Sequence, residues 1–414
     1  MKQGNWQNIP QVRGGMAEYP ASVLLAENRS RGLGWRRGRL VLSQLPDEFY
    51  NCACTYQAGM GAQYMIDFND LLRANNDIHT FEDYLEKYAD HVGDAVNAFI
   101  PKGTHPDMDR YLYNPLLQFS RNGGKRHRPL ICFAACLAVG GSPAAALSAA
   151  AAIEHFHTAA LIHDDIADGA ELRRGEPCLY RTEGLGLAIN MGDLGLQLVN
   201  GTVAKDPNLD DHTKVRVLTE LIEMTKRTIE GQALDIGWAR DKRYDISPED
   251  YLIMATCKTA HYSGAVPLAI GAIIGGGAET QIEGLRNYGL DTGLAFQIQD
   301  DLLNLVGKAE STKKGFRDDI TEGKRTLVVV HALKNLDDGP RARLVELLSS
   351  HTKDPAELDE AVRIMDGAGS IEYARNYAEN LTSIAKNRLV DMIDPSPARD
   401  LLISMADWFV SRLK

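Results

Sequence analysis

The sequence predicts an all-α protein, a large helical bundle whose functional site lies in a central cavity between facing helices. Three observations carry this. From about Thr80 onward apolar residues recur with a helical period almost throughout. The periodic runs are long and joined by short loops, covering roughly 143–167, 211–239, 247–275, 278–305, 324–336, 369–393 and 395–413. Few stretches alternate with period two, so no sheet is expected.

The local signals agree with that class. Thr80 is placed to cap a helix whose Phe81, Tyr84, Leu85 and Tyr88 recur at i, i+3, i+4 and i+7. Ser142 and Pro143 supply an N-cap and N1 pair for a helix reaching about Ala167. The 414 residues suffice for one large helical domain or two smaller ones. Residues 1–60 carry seven Lys/Arg against four Asp/Glu and show no sustained period. We therefore expect residues 1–64 to be a poorly ordered extension, or to precede a true start at Met60 or Met65, with 65–414 as a single domain. A basic docking arm is the alternative reading of the extension.

Composition narrows the function. Hydrophobic residues make up 44% and charged residues 24%, as expected of a soluble globular chain with a sizeable core. A formal charge of −11 argues against nucleic acid or an acidic membrane surface as the main partner. The stretch from Leu130 to Ile153 lacks charge but is interrupted by Gly140-Gly141-Ser142-Pro143, and the run from Ala265 to Ala278 is short and contains Pro267. Neither reads as a membrane span, and no signal-peptide pattern opens the chain. Cys52, Cys54, Cys132, Cys136, Cys178 and Cys257 form no zinc spacing or disulfide framework. A reducing cytoplasm fits.

Two acidic motifs carry the chemistry. Near the end of the 143–167 helix the chain reads His163-Asp164-Asp165-Ile166-Ala167-Asp168. Asp164 and Asp168 project from one helix face with Asp165 beside them. Three like charges repel, and the helix dipole disfavours anions at a C-terminal end, so a cation is expected there. Magnesium, held by carboxylates, diphosphate oxygens and water, is the natural candidate. Taken alone, such a motif reads first as an exposed acidic helix end, because short acidic patterns are common. The neighbouring Arg173 and Arg174 could pair with these acids or grip metal-bound phosphates.

The second motif, Phe296-Gln297-Ile298-Gln299-Asp300-Asp301-Leu302-Leu303-Asn304, lies on the 278–305 helix amid apolar residues. Its recurrence is harder to dismiss as a solvated face. Gly123-Gly124-Lys125-Arg126-His127-Arg128-Pro129 opens the helix before the first motif. Its glycines allow close backbone approach and its cations suit a second diphosphate, although a basic turn is the plain reading. Lys258-Thr259, Lys313-Lys314 and Gly231-Gln232 with Asp235 are individually weak signals.

Together these residues resemble the trans-isoprenyl diphosphate synthases, the polyprenyl synthetases that include geranylgeranyl diphosphate synthases. The matching elements are, in order, GGKRHRP at 123–129, HDDIAD at 163–168, LRRG at 172–175, GQALD at 231–235, KT at 258–259, FQIQDDLLN at 296–304 and TEGKRTL at 321–327. The resemblance implies a bundle of the isoprenoid synthase type, a homodimer, and three Mg2+ ions per site. It implies isopentenyl diphosphate and an allylic diphosphate as substrates. By position, Lys125, Arg128, His157 and Arg174 resemble the ligands of isopentenyl diphosphate. Asp164, Asp168 and Asp300 resemble the magnesium ligands, with Asp165 and Asp301 supporting them. Arg173, Lys258 and Lys314 resemble the clamp on the allylic diphosphate, and Thr259 and Gln297 lie beside it. Three departures are visible. Asn304 replaces an aspartate, Tyr180 replaces a histidine, and Asp318-Asp319 falls one residue late, which weakens the assignment of Lys314.

Product length is partly legible. Ala159 and Ala160, five and four residues before Asp164, are too small to block a growing chain beside this helix. Phe156, one turn deeper by roughly 5–6 Å, is the first bulky side chain on that face. This favours products of twenty carbons or somewhat more; the alternative is that Phe156 is ordinary core. Competing functions are a farnesyl diphosphate synthase, a terpene cyclase and a non-catalytic subunit. A cyclase would leave Lys125 and Arg128 unexplained, and a non-catalytic subunit has no need of two intact acidic motifs.

Overall fold

Thr80 begins the first helix as its side chain implies. Its hydroxyl accepts from the Asp83 amide at 3.1 Å while the Asp83 carboxylate accepts from the Thr80 amide at 3.0 Å, closing a reciprocal capping box. The helix α1 (Phe81–Asn97) then buries Phe81, Tyr84 and Leu85. The computed structural model describes residues 78–307 and 317–411. The expectations for residues 1–64 and for Lys314 lie outside these described residues.

After α1 come α2 (Asn114–Arg121), α3 (His127–Ala138) and α4 (Leu147–Ala167). Next are α5 (Leu185–Ala204), α6 (Asp211–Arg240) and α7 (Pro248–Ala255). The last of these runs without a break into a π-helical segment (Thr256–Ala265) and then α8 (Val266–Ile274). The rest is α9 (Glu279–Val306), α10 (Leu327–Asn335), α11 (Asp338–Ser350), α12 (Pro355–Gly367), α13 (Ser370–Met392) and α14 (Pro397–Ser411). The most extensive packing joins α4 to α5, α9 to α13, and α9 to the π-helical segment. Thus both motif-bearing helices, α4 and α9, are central members of the bundle. Two large apolar clusters fill it, one around α3, α4 and α8, the other around α9 to α13.

Three expectations are corrected. A two-residue antiparallel ladder pairs β1 (Leu172–Arg173) with β2 (Glu176–Pro177). It is too short to leave a period-two signature. Ser142 makes no side-chain cap, and residues Pro143–Ala146 form a tight 3-10 turn before α4 begins. The helix α5 carries Gly186, Gly192, Gly195 and Gly201, whose low helix propensity hides it in the sequence. Two of those glycines also explain its position: a side chain at Gly195 would meet Ala159 at 2.9 Å, and one at Gly192 would strike His163. Among the described helices, Pro143–Ala167 is long and apolar enough to cross a membrane, but 78% of its apolar window is buried inside the protein, as a core helix requires.

Candidate active site

The first acidic motif ends α4, and the chain then folds straight back over it. Arg174 and Gly175, at φ of 55° and 85°, occupy the two left-handed positions of a two-residue hairpin turn. This turn sends the adjacent arginines in different directions. The Arg173 guanidinium donates to Asp165 Oδ1 at 2.7 Å through Nε and to Asp164 Oδ2 at 3.4 Å through Nη2. Arg174 instead donates to the carbonyls of Asn122 and Gly123 at 2.9 and 2.7 Å. Only Arg173 pairs with the acids. Tyr180 donates to the Ala170 carbonyl at 2.7 Å, bracing the loop after the motif.

Two sets of polar contacts, one from each motif, meet at the adjacent residues Lys258 and Thr259. Gln232 of α6 donates to Asp164 Oδ1 at 3.0 Å. Lys324 Nζ lies 3.3 Å from each of Asp168, Asp235 and Glu322. Asp235 of α6 also accepts from Lys258, which lies on the π-helical segment. The next residue, Thr259, donates to Gln297 Oε1 at 2.5 Å, and Gln297 donates to Asp301 Oδ1 at 2.7 Å. Tyr251 completes the set by donating to Asp301 Oδ2 at 2.7 Å. Asp300 stands beside Asp301 on α9, half-buried. Asn304, the departure in this motif, accepts from the Asp319 amide at 3.2 Å and ties the segment around 318–321 to α9. Lys258 and Thr259 are successive residues of a helical segment and so diverge by roughly 100° or a little less around its axis, which lets them engage α6 and α9 respectively.

Electrostatics follow from burial. Burial pushes the Asp235 carboxyl up, but the ammonium groups of Lys258 and Lys324 outweigh it and hold the carboxyl at about 2. Burial, and next the charge of Asp319, push Asp301 well above the usual carboxylate range despite hydrogen bonds from Tyr251 and Gln297. Burial also raises Asp165, against the pull of Arg173, and its Oδ2 is buried without a hydrogen-bond partner. Carboxyls under such strain are stabilised as anions by a nearby cation. Among the described residues, no three His, Cys, Asp or Glu side chains form a cage for one ion. This donor set fits magnesium, which takes one or two carboxylates and completes its shell with phosphate oxygens and water.

The basic residues form a second group. Arg128 is 4% exposed and donates to Ser263 Oγ at 2.8 Å and to Tyr262 OH at 3.2 Å. Its guanidinium lies 4.5 Å from the Tyr262 ring centre. The His157 ring stacks on the same tyrosine, with centroids 6.0 Å apart. Burial, then the positive charges of Arg128 and Arg174, hold the imidazole well below its ordinary range, so it is neutral. Its Nδ1 is buried with no hydrogen-bond partner. The Arg174 guanidinium lies against Gly124, beside Lys125. Phe156 is 2% exposed and meets Tyr262 edge-on at 5.6 Å. Ala159 is buried against Gly195 of α5, and Ala160 packs on the main core.

Sequence reasoning passed over Lys324 and Tyr251. Lys324 was within reach, since it sits inside the TEGKRTL element; Tyr251 carries no local signal, because a buried tyrosine is ordinary core.

The chain resembles known proteins in sequence and in fold. Residues 109–365 match the family model described as polyprenyl synthetase. A short chain isoprenyl diphosphate synthase of Methanothermobacter thermautotrophicus is 37% identical over 330 residues, covering 80% of this chain and 98% of that one. The crystal structure of a geranylgeranyl pyrophosphate synthetase from Pyrococcus horikoshii superposes with a TM-score of 0.74 at 31% identity, covering 80% and 98% of the two chains. A geranylgeranyl pyrophosphate synthase from Corynebacterium glutamicum, complexed with isoprenyl diphosphate and magnesium, gives a TM-score of 0.71 at 28% identity over 79% and 99%.

Proposed function

Since the chain belongs to the polyprenyl synthetase family and is a prenyltransferase, we propose that it condenses isopentenyl diphosphate with an allylic diphosphate to make a trans product of twenty carbons or somewhat more. The observation that carries this reading is a pair of hydrogen-bonded sets meeting at the adjacent residues Lys258 and Thr259: Lys258 joins Asp235, Lys324 and Asp168 of the first motif, and Thr259 joins Gln297 and Asp301 of the second. It has carboxylates and cations on both sides, as metal-bound diphosphate requires.

Magnesium ions, three in this proposal, would be held by Asp164, Asp168 and Asp300 and would neutralise the charge that grows on the diphosphate as its C–O bond breaks. Arg173 and Lys258 grip the same diphosphate, with Lys314 as a further cation. Gln297 and Thr259 fix its orientation. Lys125, Arg128 and Arg174 hold the second diphosphate, and neutral His157 contributes a hydrogen bond without adding charge. The two sets together keep the isopentenyl double bond close to the allylic C1. Breaking that C–O bond leaves an allylic cation whose C1 the isopentenyl double bond attacks to form the new C–C bond, and the buried apolar wall of α4 excludes water from it. The departing diphosphate takes the proton, so no side chain is assigned as base. A cytoplasmic location belongs to this proposal.

The test is mass analysis of products from labelled isopentenyl diphosphate supplied with dimethylallyl, geranyl or farnesyl diphosphate. Stepwise growth by five carbons supports the reading. Consumption of the allylic diphosphate alone would instead indicate a cyclase.

Phe156 sets the depth of the chain in this reading. Phe156→Ala is expected to lengthen the main product by at least one isoprene unit; an unchanged distribution would assign Phe156 to the core alone. We also propose a second copy of this chain on α6. Val215, Ile222, Ile229 and Ile236 repeat every seven residues and are 63, 58, 58 and 40% exposed. Such an apolar stripe suits a partner helix. Sedimentation at assay concentration should give a dimer mass, and a monomer mass would remove the partner from the proposal.

A further inference from the structure

The C-terminal helix reaches the diphosphate site through two adjacent aromatic residues. The Trp408 ring lies 4.9 Å from Lys125 Nζ, within range of a cation–π contact. The same indole is 7% exposed, stands edge-on to Phe81 at 5.6 Å, and lies 6.2 Å from the ring of His127. Phe409 meets His127 at 6.2 Å and Phe296 at 4.8 Å, and His127 itself meets Phe296 at 5.4 Å. Phe296 immediately precedes Gln297 of the second acidic motif. One aromatic cluster therefore connects the Gly-rich basic loop, the start of α1 and the second motif helix.

Within this cluster the Trp408 ring lies against the ammonium of Lys125, an exposed residue. A lysine side chain has much rotamer freedom, which binding an anion must remove. A fixed ring beside the ammonium removes part of it beforehand. We infer that Trp408 is a positioning residue for isopentenyl diphosphate, holding the Lys125 ammonium at the mouth of the basic site. The inference rests on the proposed role of Lys125.

Steady-state kinetics of Trp408→Leu, Trp408→Phe, Lys125→Ala and the Lys125→Ala/Trp408→Leu pair test it. Trp408→Leu keeps an apolar side chain but removes the ring. It should raise KM for isopentenyl diphosphate about three- to tenfold with kcat within about twofold and KM for the allylic substrate unchanged. Trp408→Phe should fall between wild type and Trp408→Leu. In the Lys125→Ala background the effect of Trp408→Leu should vanish, because no ammonium is left to position. A rise of equal size in that background, an equal rise for both substrates, or no rise at all overturns the inference. Should Trp408→Leu not fold, Trp408→Phe carries the same comparison at smaller amplitude. A wild-type KM in Lys125→Ala alone would instead overturn the role of Lys125, a separate outcome.

Discussion

Replacing Asp164 by alanine is expected to lower kcat/KM by about a thousandfold, with the fold intact. Removing one preorganised electrostatic contact to a developing charge typically costs about 10²–10³ in kcat, and here a metal site is lost as well. The carboxylate also accepts from Gln232 and Arg173, so its loss removes the acceptor of the Gln232 amide while Arg173 keeps Asp165. Asp164→Asn separates these effects. It retains an oxygen acceptor but not the charge, and it should be nearly as inactive as the alanine variant. Retention of a tenth or more of wild-type turnover by Asp164→Asn would remove Asp164 from the metal site.

Lys324→Met is expected to have the largest effect on stability. The ammonium lies 3.3 Å from Asp168, Asp235 and Glu322, and the side chain is only 14% exposed. Removing the cation leaves mutually repelling carboxylates in a shielded site, which typically costs about 3–5 kcal/mol. The pH dependence has a defined sign. In the wild type Asp235 is held at about 2, below its ordinary value of 3.8. That stabilisation is fully present above the ordinary value and is lost as pH falls through about 2. Without Lys324 the folded-state value rises toward the ordinary one, so the contribution shrinks and acid unfolding moves to higher pH. Denaturant titration at neutral pH and an acid titration read both effects. An unchanged midpoint in each would mean that Lys324 is screened by solvent rather than shared among the acids.

The chemistry was far more legible in the sequence than the architecture that assembles it. The acidic residues announce themselves because clustered like charge on one helix face needs a cation. The capping box at Thr80 is equally local and equally visible. By contrast, α5 is hidden by its own glycines, and the purpose of Gly192 and Gly195 appears only once α4 lies against them. The π-helical segment from Thr256 to Ala265, which carries Lys258 and Thr259, has no sequence signature. The opposite directions of Arg173 and Arg174 likewise follow from a turn geometry at Arg174 and Gly175, not from the residue types alone. Arg126 adopts a left-handed backbone at φ 48°, and its buried side chain pairs with Glu154. That contact spans two helices and leaves no periodic trace.

Asp164 and Asp168, at the end of α4, and Asp300 on α9 serve one metal–diphosphate centre in this proposal. Anomalous diffraction from crystals soaked with manganese and an unreactive allylic thiodiphosphate tests it directly. Metal peaks bridged by one diphosphate are expected, with ligands from both helices and with Arg173 and Lys258 on that same group. Metal bound at one helix only, or two sets of peaks with no diphosphate between them, would contradict it.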